Sequence, residues 1–205
     1  MSPRQALVRQ FSRPKGALGV LAGWVMATRP SNRRRNHWAV DLLEVAPGDR
    51  VLEIGCGPGI ALAAIAWRVT RGQVVGLDHS EVMIGQAARR NRDAIESGVL
   101  QLQLGGVDKI PALPGPFDRI LAVNVIQFLA DKGAALRMLR EVTAPGGRIA
   151  IAHQPRSSRP TRADSLRAAE ETQQLLALAG YQRIRVEELP LTPAPAVCVL
   201  GAAVA

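Results

Sequence analysis

The segment from Val51 to Ile60, VLEIGCGPGI, constrains the fold of this chain more than any other stretch. A short apolar run suited to a buried strand leads straight into Gly55-Cys56-Gly57-Pro58-Gly59, and a helical pattern from Pro58 to Thr70 follows at once. Glycines let the backbone turn tightly and approach a ligand with no Cβ in the way. The helix start beyond offers unpaired N–H groups and a positive dipole end. Downstream the periods keep alternating. Gln73 to Leu77 reads as a strand, Ser80 to Ser97 as a helix capped by Ser80 and stopped by Gly98, and Val99 to Leu104 as a third strand. Phe117 to Val123 is a fourth, Lys132 to Thr143 a helix ended by Pro145-Gly146-Gly147, and Arg148 to His153 a fifth. Short apolar strands separated by helices predict an α/β fold, a doubly wound and mainly parallel sheet covered on both faces.

The two ends have a different character. After a polar loop, a helix from about Asp164 to Ala179 leads to alternating YQRIRVEEL and then to apolar AVCVLGAAVA, an antiparallel pair at one end of the sheet. At the other end, residues 1–40 hold eight basic residues and no acid, whereas the remainder carries 18 basic and 17 acidic residues. Residues 1–36 therefore read as a basic arm and 37–205 as the domain, with a short helix over HWAVDLLEV at its start. A chain of 205 residues buries roughly 70% of its surface on folding, so the core needs no staple. Its two cysteines, Cys56 and Cys198, lie far apart and suggest neither a disulfide framework nor a paired-thiol metal site. The apolar run from Ala17 to Ala27 imitates a signal peptide, but Gly16, Gly19 and Gly23 interrupt it and the cluster Arg33 to Arg35 follows, so a cytoplasmic protein is expected.

Spacing bears on what the glycine loop binds. The dinucleotide fingerprint is G-x-G-x-x-G, whereas this loop is G-x-G-x-G with Ile60 at the last position of the fingerprint. Glu53 stands two positions before the first glycine, where a pyrophosphate would be repelled and a cationic ligand would not. Asp78 closes the second strand, and a carboxylate there can accept both hydroxyls of a ribose, a geometry that nicotinamide cofactors share. Ribose is thus supported by both readings and pyrophosphate by one.

At these residues the chain resembles the class I S-adenosylmethionine-dependent methyltransferase family, from about Trp38 to Ala152, with VLEIGCGPG as the most specific motif. The resemblance implies a Rossmann-like, seven-stranded, mainly parallel sheet whose last strand is antiparallel. It implies S-adenosyl-L-methionine as cofactor, with the loop of Gly55, Cys56, Gly57 and Gly59 cradling the methionine part, Glu53 close by, and Asp78 on the ribose. His79, Met83 and Ile84 would flank the adenine, Val107 would present its backbone to the ring, and Asn124 would lie along the cofactor. One departure stands out: where the family has an acid in G-D-A-x-x-L-P, this chain has Gly106 in Gly105-Gly106-Val107-Asp108, with an acid two positions later.

Methyl transfer asks mainly for positioning. If the acceptor must lose a proton, His153 at the end of the fifth strand is the expected acceptor contact or base, against the alternative of a strand cap. His37 reads first as a cap of the first helix, with substrate contact as the alternative, and Cys56 as a small loop residue and not a reactive thiol. A small-molecule acceptor is expected, since no nucleic-acid reading module is visible. The alternatives are nucleic acid held by the basic arm and a nicotinamide-dependent oxidoreductase. The arm's Leu18, Leu21, Trp24 and Val25 suit a lid over the acceptor pocket first, and contact with an anionic membrane surface or a partner otherwise.

Overall fold

The computed structural model describes residues 29–155, 157 and 159–204. The arm's apolar run lies outside the described residues. Helix α1 spans Pro30–Leu43, with proline at its first position, where the missing N–H costs nothing. Then follow β1 (Arg50–Ile54), α2 (Ile60–Arg68), β2 (Gln73–Asp78), α3 (Glu81–Arg90), α4 (Arg92–Glu96), β3 (Leu100–Leu104) and β4 (Phe117–Val123). The chain continues through α5 (Lys132–Glu141), β5 (Thr143–His153), α6 (Arg162–Leu178), β6 (Gln182–Leu189) and β7 (Ala196–Ala202).

The seven strands form one sheet in the order β3-β2-β1-β4-β5-β7-β6. β1 pairs in parallel with both β2 and β4, so the winding reverses at its carboxyl end, the position where doubly wound sheets bind ligands. β7 is antiparallel to β5 and to β6 and lies between them. The placement follows from composition: AVCVLGA is buried almost throughout and needs a neighbour on each side, whereas QRIRVEEL exposes charges and suits an edge.

Alternation along each strand divides the core. Leu52, Ile120 and Ile149 face Leu136 and Leu139 of α5 and Leu176 of α6. Val51, Leu121 and Ala150 face the other way, against Val40 and Leu43 of α1 and Ile65 of α2. Each large aliphatic side chain buried in this way contributes about 1.5 to 3 kcal/mol.

Local features differ from the expectations in three places. The boundary expected at residue 36 falls inside α1, because Pro30 starts a helix that carries the arginine cluster onto the sheet; at about 100° per residue, Arg33 and Arg34 are exposed and Arg35 is buried. The helix expected from Ser80 to Ser97 breaks at Asn91, whose side-chain Nδ2 donates to Ala87 O (2.9 Å) and Gly59 O (3.2 Å). Such side chain to backbone bonds compete with helix continuation. Finally, Pro145-Gly146-Gly147 belongs to β5, which starts at Thr143, while the preceding helix ends at Glu141. Ser80 does cap α3, its Oγ accepting from Met83 N–H.

Candidate active site

At the carboxyl end of β1 the sheet opens into a cavity of about 620 Å³. β1 delivers Glu53 to it, on the same face of the strand as Val51 and so towards α2. Glu53 is 2% exposed and its Oε2 has no hydrogen-bond partner among the described residues. Burial, and after it the neighbouring Asp78 carboxylate, push Glu53 well above the ordinary carboxylate range, only partly opposed by the Leu62 N–H in the first turn of α2.

The loop after β1 is anchored by Cys56 N–H donating to Leu77 O (3.1 Å). Gly59, at φ +76°, caps α2; a Cβ there would lie 3.0 Å from the Ala87 Cα of α3. Gly57, at φ +53°, has open space where a Cβ would stand. Gly55, Cys56 and Gly57 line the cavity, while Gly59 sits behind it, locked against α3. Burial and the nearby Glu53 and Asp78 raise the Cys56 thiol well above its usual range, which makes a thiolate role costly. Two residues that sequence reasoning missed hold this loop from outside: Arg90 Nε donates to Pro58 O (2.9 Å), and Asn91 to Gly59 O. The interruption at Asn91 is the only local signal of that role.

Asp78 ends β2 with its carboxylate in the cavity wall. One oxygen accepts from Gly57 N–H and the other from Ser80 N–H, each at 2.9 Å. The residue therefore both caps and anchors, and each oxygen retains a further lone pair for a ligand hydroxyl. His79 also lines the cavity, its Nδ1 3.6 Å from Asp78 Oδ1. Met83, Val107 and Asn124 line it too. Asn124 adopts φ +56° and is held by two bonds, its N–H donating to Ala152 O (2.8 Å) and its Oδ1 accepting from Gln154 N–H (2.9 Å). Asp108 lines the wall as well, and its Oδ1 lies 2.7 Å from where a Cβ on Gly106 would stand. The displaced acid thus sits beside the position that lacks one.

Besides Gly59, two residues expected at the site, Ile84 and His153, are not brought to the cavity, and His37 does not cap its helix. Ile84 packs with the apolar cluster between α1, α2 and the sheet. His153 ends β5 in register with Val197 but does not line the cavity. Alternation puts it on the side of Ile149 and Ile151, away from α1 and Glu53. His37 is exposed in the middle of α1 and caps nothing there. In their place α1 supplies Asn32 and Asn36, and the turn after β4 supplies Val125 and Phe128. The two asparagines share a helix face at a spacing of four, a signal obscured by the surrounding arginines.

Residues 52–149 match the family model for a methyltransferase domain. An uncharacterized methyltransferase of Bacillus subtilis, YdaC, is 27% identical over 87% of this chain and 96% of its own length. The 2-phytyl-1,4-naphtoquinone methyltransferase of Synechococcus elongatus is 34% identical over 58% of this chain and 52% of its own. The chain spans between 36% and 52% of the length of several curated relatives it matches. Among solved structures, the N-methyltransferase NodS of Bradyrhizobium japonicum, in complex with S-adenosyl-L-homocysteine, superposes with a TM-score of 0.67 at 18% identity over 97% of both chains. The matched segment contains the glycine loop, Asp78 and the strand reversal point, all in the order the fold requires, and over residues 52–149 the chain carries a methyltransferase domain.

Proposed function

We propose that this chain transfers the methyl group of S-adenosylmethionine to a small, uncharged acceptor. The charge pattern of the cavity carries the reading. Glu53, Asp78 and Asp108 line it, and no Lys or Arg does among the described residues. A diphosphate entering there would meet like charge at low dielectric, whereas a ligand bearing an ammonium and a sulfonium would compensate it. Buried Glu53, with Oε2 unpartnered, fits a cationic neighbour in particular.

The remaining residues fit the rest of that cofactor. Asp78 has lone pairs for a ribose diol, Asp108 supplies an acceptor for an exocyclic amine, Val107 begins the turn beside it, and Met83 supplies an apolar surface. When bound, the cofactor supplies an activated methyl group with its own leaving group. The chain's task is then to orient, which in favourable cases lowers a barrier by about 7 to 11 kcal/mol. His79 is the histidine that lines the cavity, and it stands beside Asp78 on the cofactor side. Phenols and quinols, neutral when bound and able to release a proton to solvent as the new bond forms, suit a wall with no imidazole next to them. The relative named for a naphtoquinone supports the small-molecule class.

Calorimetry of S-adenosylhomocysteine against NAD tests the cofactor, and a screen of phenolic and quinol acceptors with labelled methyl donor tests the reaction. Uptake of NAD in place of the nucleoside sulfide would overturn the proposal.

A further inference from the structure

Resting on that reading, we infer that α1 is the acceptor-recognition wall and that the Asn36 carboxamide oxygen receives a hydrogen bond from the hydroxyl or N–H group that is methylated. Asn36 lines the cavity and is 7% exposed. Its Nδ2 donates to the Asn32 carbonyl, one turn back, at 2.7 Å, which fixes the plane of the amide. No bond from another described residue reaches the amide oxygen. A nearly buried carboxamide on a cavity wall, with its N–H side satisfied internally and its oxygen not, is built to recognise a donor.

The frame behind Asn36 is stiff. Arg35, 3% exposed, donates to the side-chain oxygens of Asn32 and Gln154. Gln154, just past β5, donates its Nε2 to Ala194 O (2.8 Å) and its backbone N–H to Asn124 Oδ1 (2.9 Å). One guanidinium, which does not lose its charge, thereby ties α1 to the ends of β4 and β5 and to the connection before β7. Arg35 is a positioning residue: it holds the wall that carries Asn36 in register with Asn124 on the cofactor side.

The chemical class of the acceptor follows from the rest of the lining. Phe128 is 47% exposed and lies with Val125, Leu129 and Ala130 in the same cavity, an apolar surface suited to a flat ring. Among the described residues no Lys or Arg lines the cavity, so they offer no ion-pair partner to a carboxylate or phosphate. The acceptor is therefore a flat, neutral, mostly apolar molecule presenting a hydroxyl or N–H. Asn36 takes no proton; it holds that hydrogen so that a lone pair on the same atom is free to face the methyl group, and the proton passes to solvent once the new bond to carbon has replaced the carbon–sulfur bond.

The test uses dihydroxynaphthalene and dimethoxynaphthalene as probes, which share a ring and differ in donors, titrated by calorimetry into the protein saturated with S-adenosylhomocysteine. The wild-type complex should prefer the diol by about tenfold, the worth of one well-placed hydrogen bond. Asn36→Ala should erase that preference with S-adenosylhomocysteine affinity unchanged, and Asn36→Asp, which retains an acceptor oxygen, should keep it. A preference that survives Asn36→Ala, or an equal loss of cofactor affinity in that variant, would overturn the assignment. Failure of both probes to bind the saturated wild-type complex would overturn the acceptor class. Failure of S-adenosylhomocysteine itself to bind would instead overturn the proposed function on which this inference stands.

Discussion

Replacing Gly57 and Gly59 separately with alanine distinguishes a glycine kept for a ligand from one kept for packing. Both have positive φ, +53° and +76°, so any L-residue at either position costs roughly 1 to 2 kcal/mol in backbone strain. At Gly57 nothing lies within 4 Å of the added carbon, and the cost stops there. At Gly59 the carbon would fall 2.5 Å from Asn91 Nδ2 and 3.0 Å from both the Cα and the Cβ of Ala87. Ala87 Cα is helix backbone and cannot rotate aside, and the Asn91 amide is already engaged with Gly59 O and Ala87 O. Overpacking of this kind adds about 1 to 3 kcal/mol. Gly59→Ala should thus lose about 2 to 5 kcal/mol of stability, a large share of the 5 to 15 typical of a domain, and Gly57→Ala only about 1 to 2. The order reverses for binding, because the methyl group at Gly57 enters the space beside the cavity. Its affinity for S-adenosylhomocysteine should fall about tenfold or more while the fold stays intact. Urea denaturation followed by tryptophan fluorescence gives the first quantity and calorimetry the second. Equal stability losses in the two variants, or a stable Gly59→Ala, would refute the packing argument.

Further outcomes follow from the same geometry. Because burial raises Glu53, the folded state holds its proton more tightly than the unfolded chain does; its contribution to stability is present in acid and is lost as pH rises from the ordinary carboxylate pKa through the raised one. Glu53→Gln should remove that decline from urea midpoints measured across the acid to neutral range, while weakening S-adenosylhomocysteine binding; a midpoint profile identical to wild type would count against a buried, titrating Glu53. Asp78→Ala removes the acceptor of two backbone N–H groups and should cost about 2 to 4 kcal/mol of stability. It should also weaken S-adenosylhomocysteine by about tenfold or more, and calorimetry showing unchanged affinity would exclude the ribose assignment. Asp108→Asn should weaken adenosine-containing ligands and leave stability close to wild type, whereas an effect on folding alone would make Asp108 a loop residue. Arg35→Lys keeps the charge but loses the fork that bridges Asn32 and Gln154, so about 1 to 3 kcal/mol of stability should go, together with hydrogen-exchange protection of the Gln154 N–H; full protection in the variant would refute the link.

The chain's linear order determined those features whose partners are close in sequence. The step from apolar Val51–Ile54 into glycines and a helix, the strand-end Asp78 and the Ser80 cap are legible because strand period, turn chemistry and capping act over a few residues. Glu53 was legible as a charge in the wrong place for a pyrophosphate, although its unpartnered oxygen was not.

Tertiary structure alone decided the wall proposed for the acceptor. Arg35 reads as one more residue of a basic arm until Gln154, 119 positions away, is folded against it. Asn36 becomes a wall residue only because α1 packs across the sheet face that holds Val51, Leu121 and Ala150. His153 ends its strand where sequence places it, yet pleat parity turns it towards the opposite face from Glu53, a consequence of register among β4, β5 and β7 that no local pattern encodes. The physical reason is the same in each case. Short-range sterics and hydrogen bonding fix where elements begin and end, while the direction a side chain finally faces is set by how distant elements bury one another's apolar surfaces.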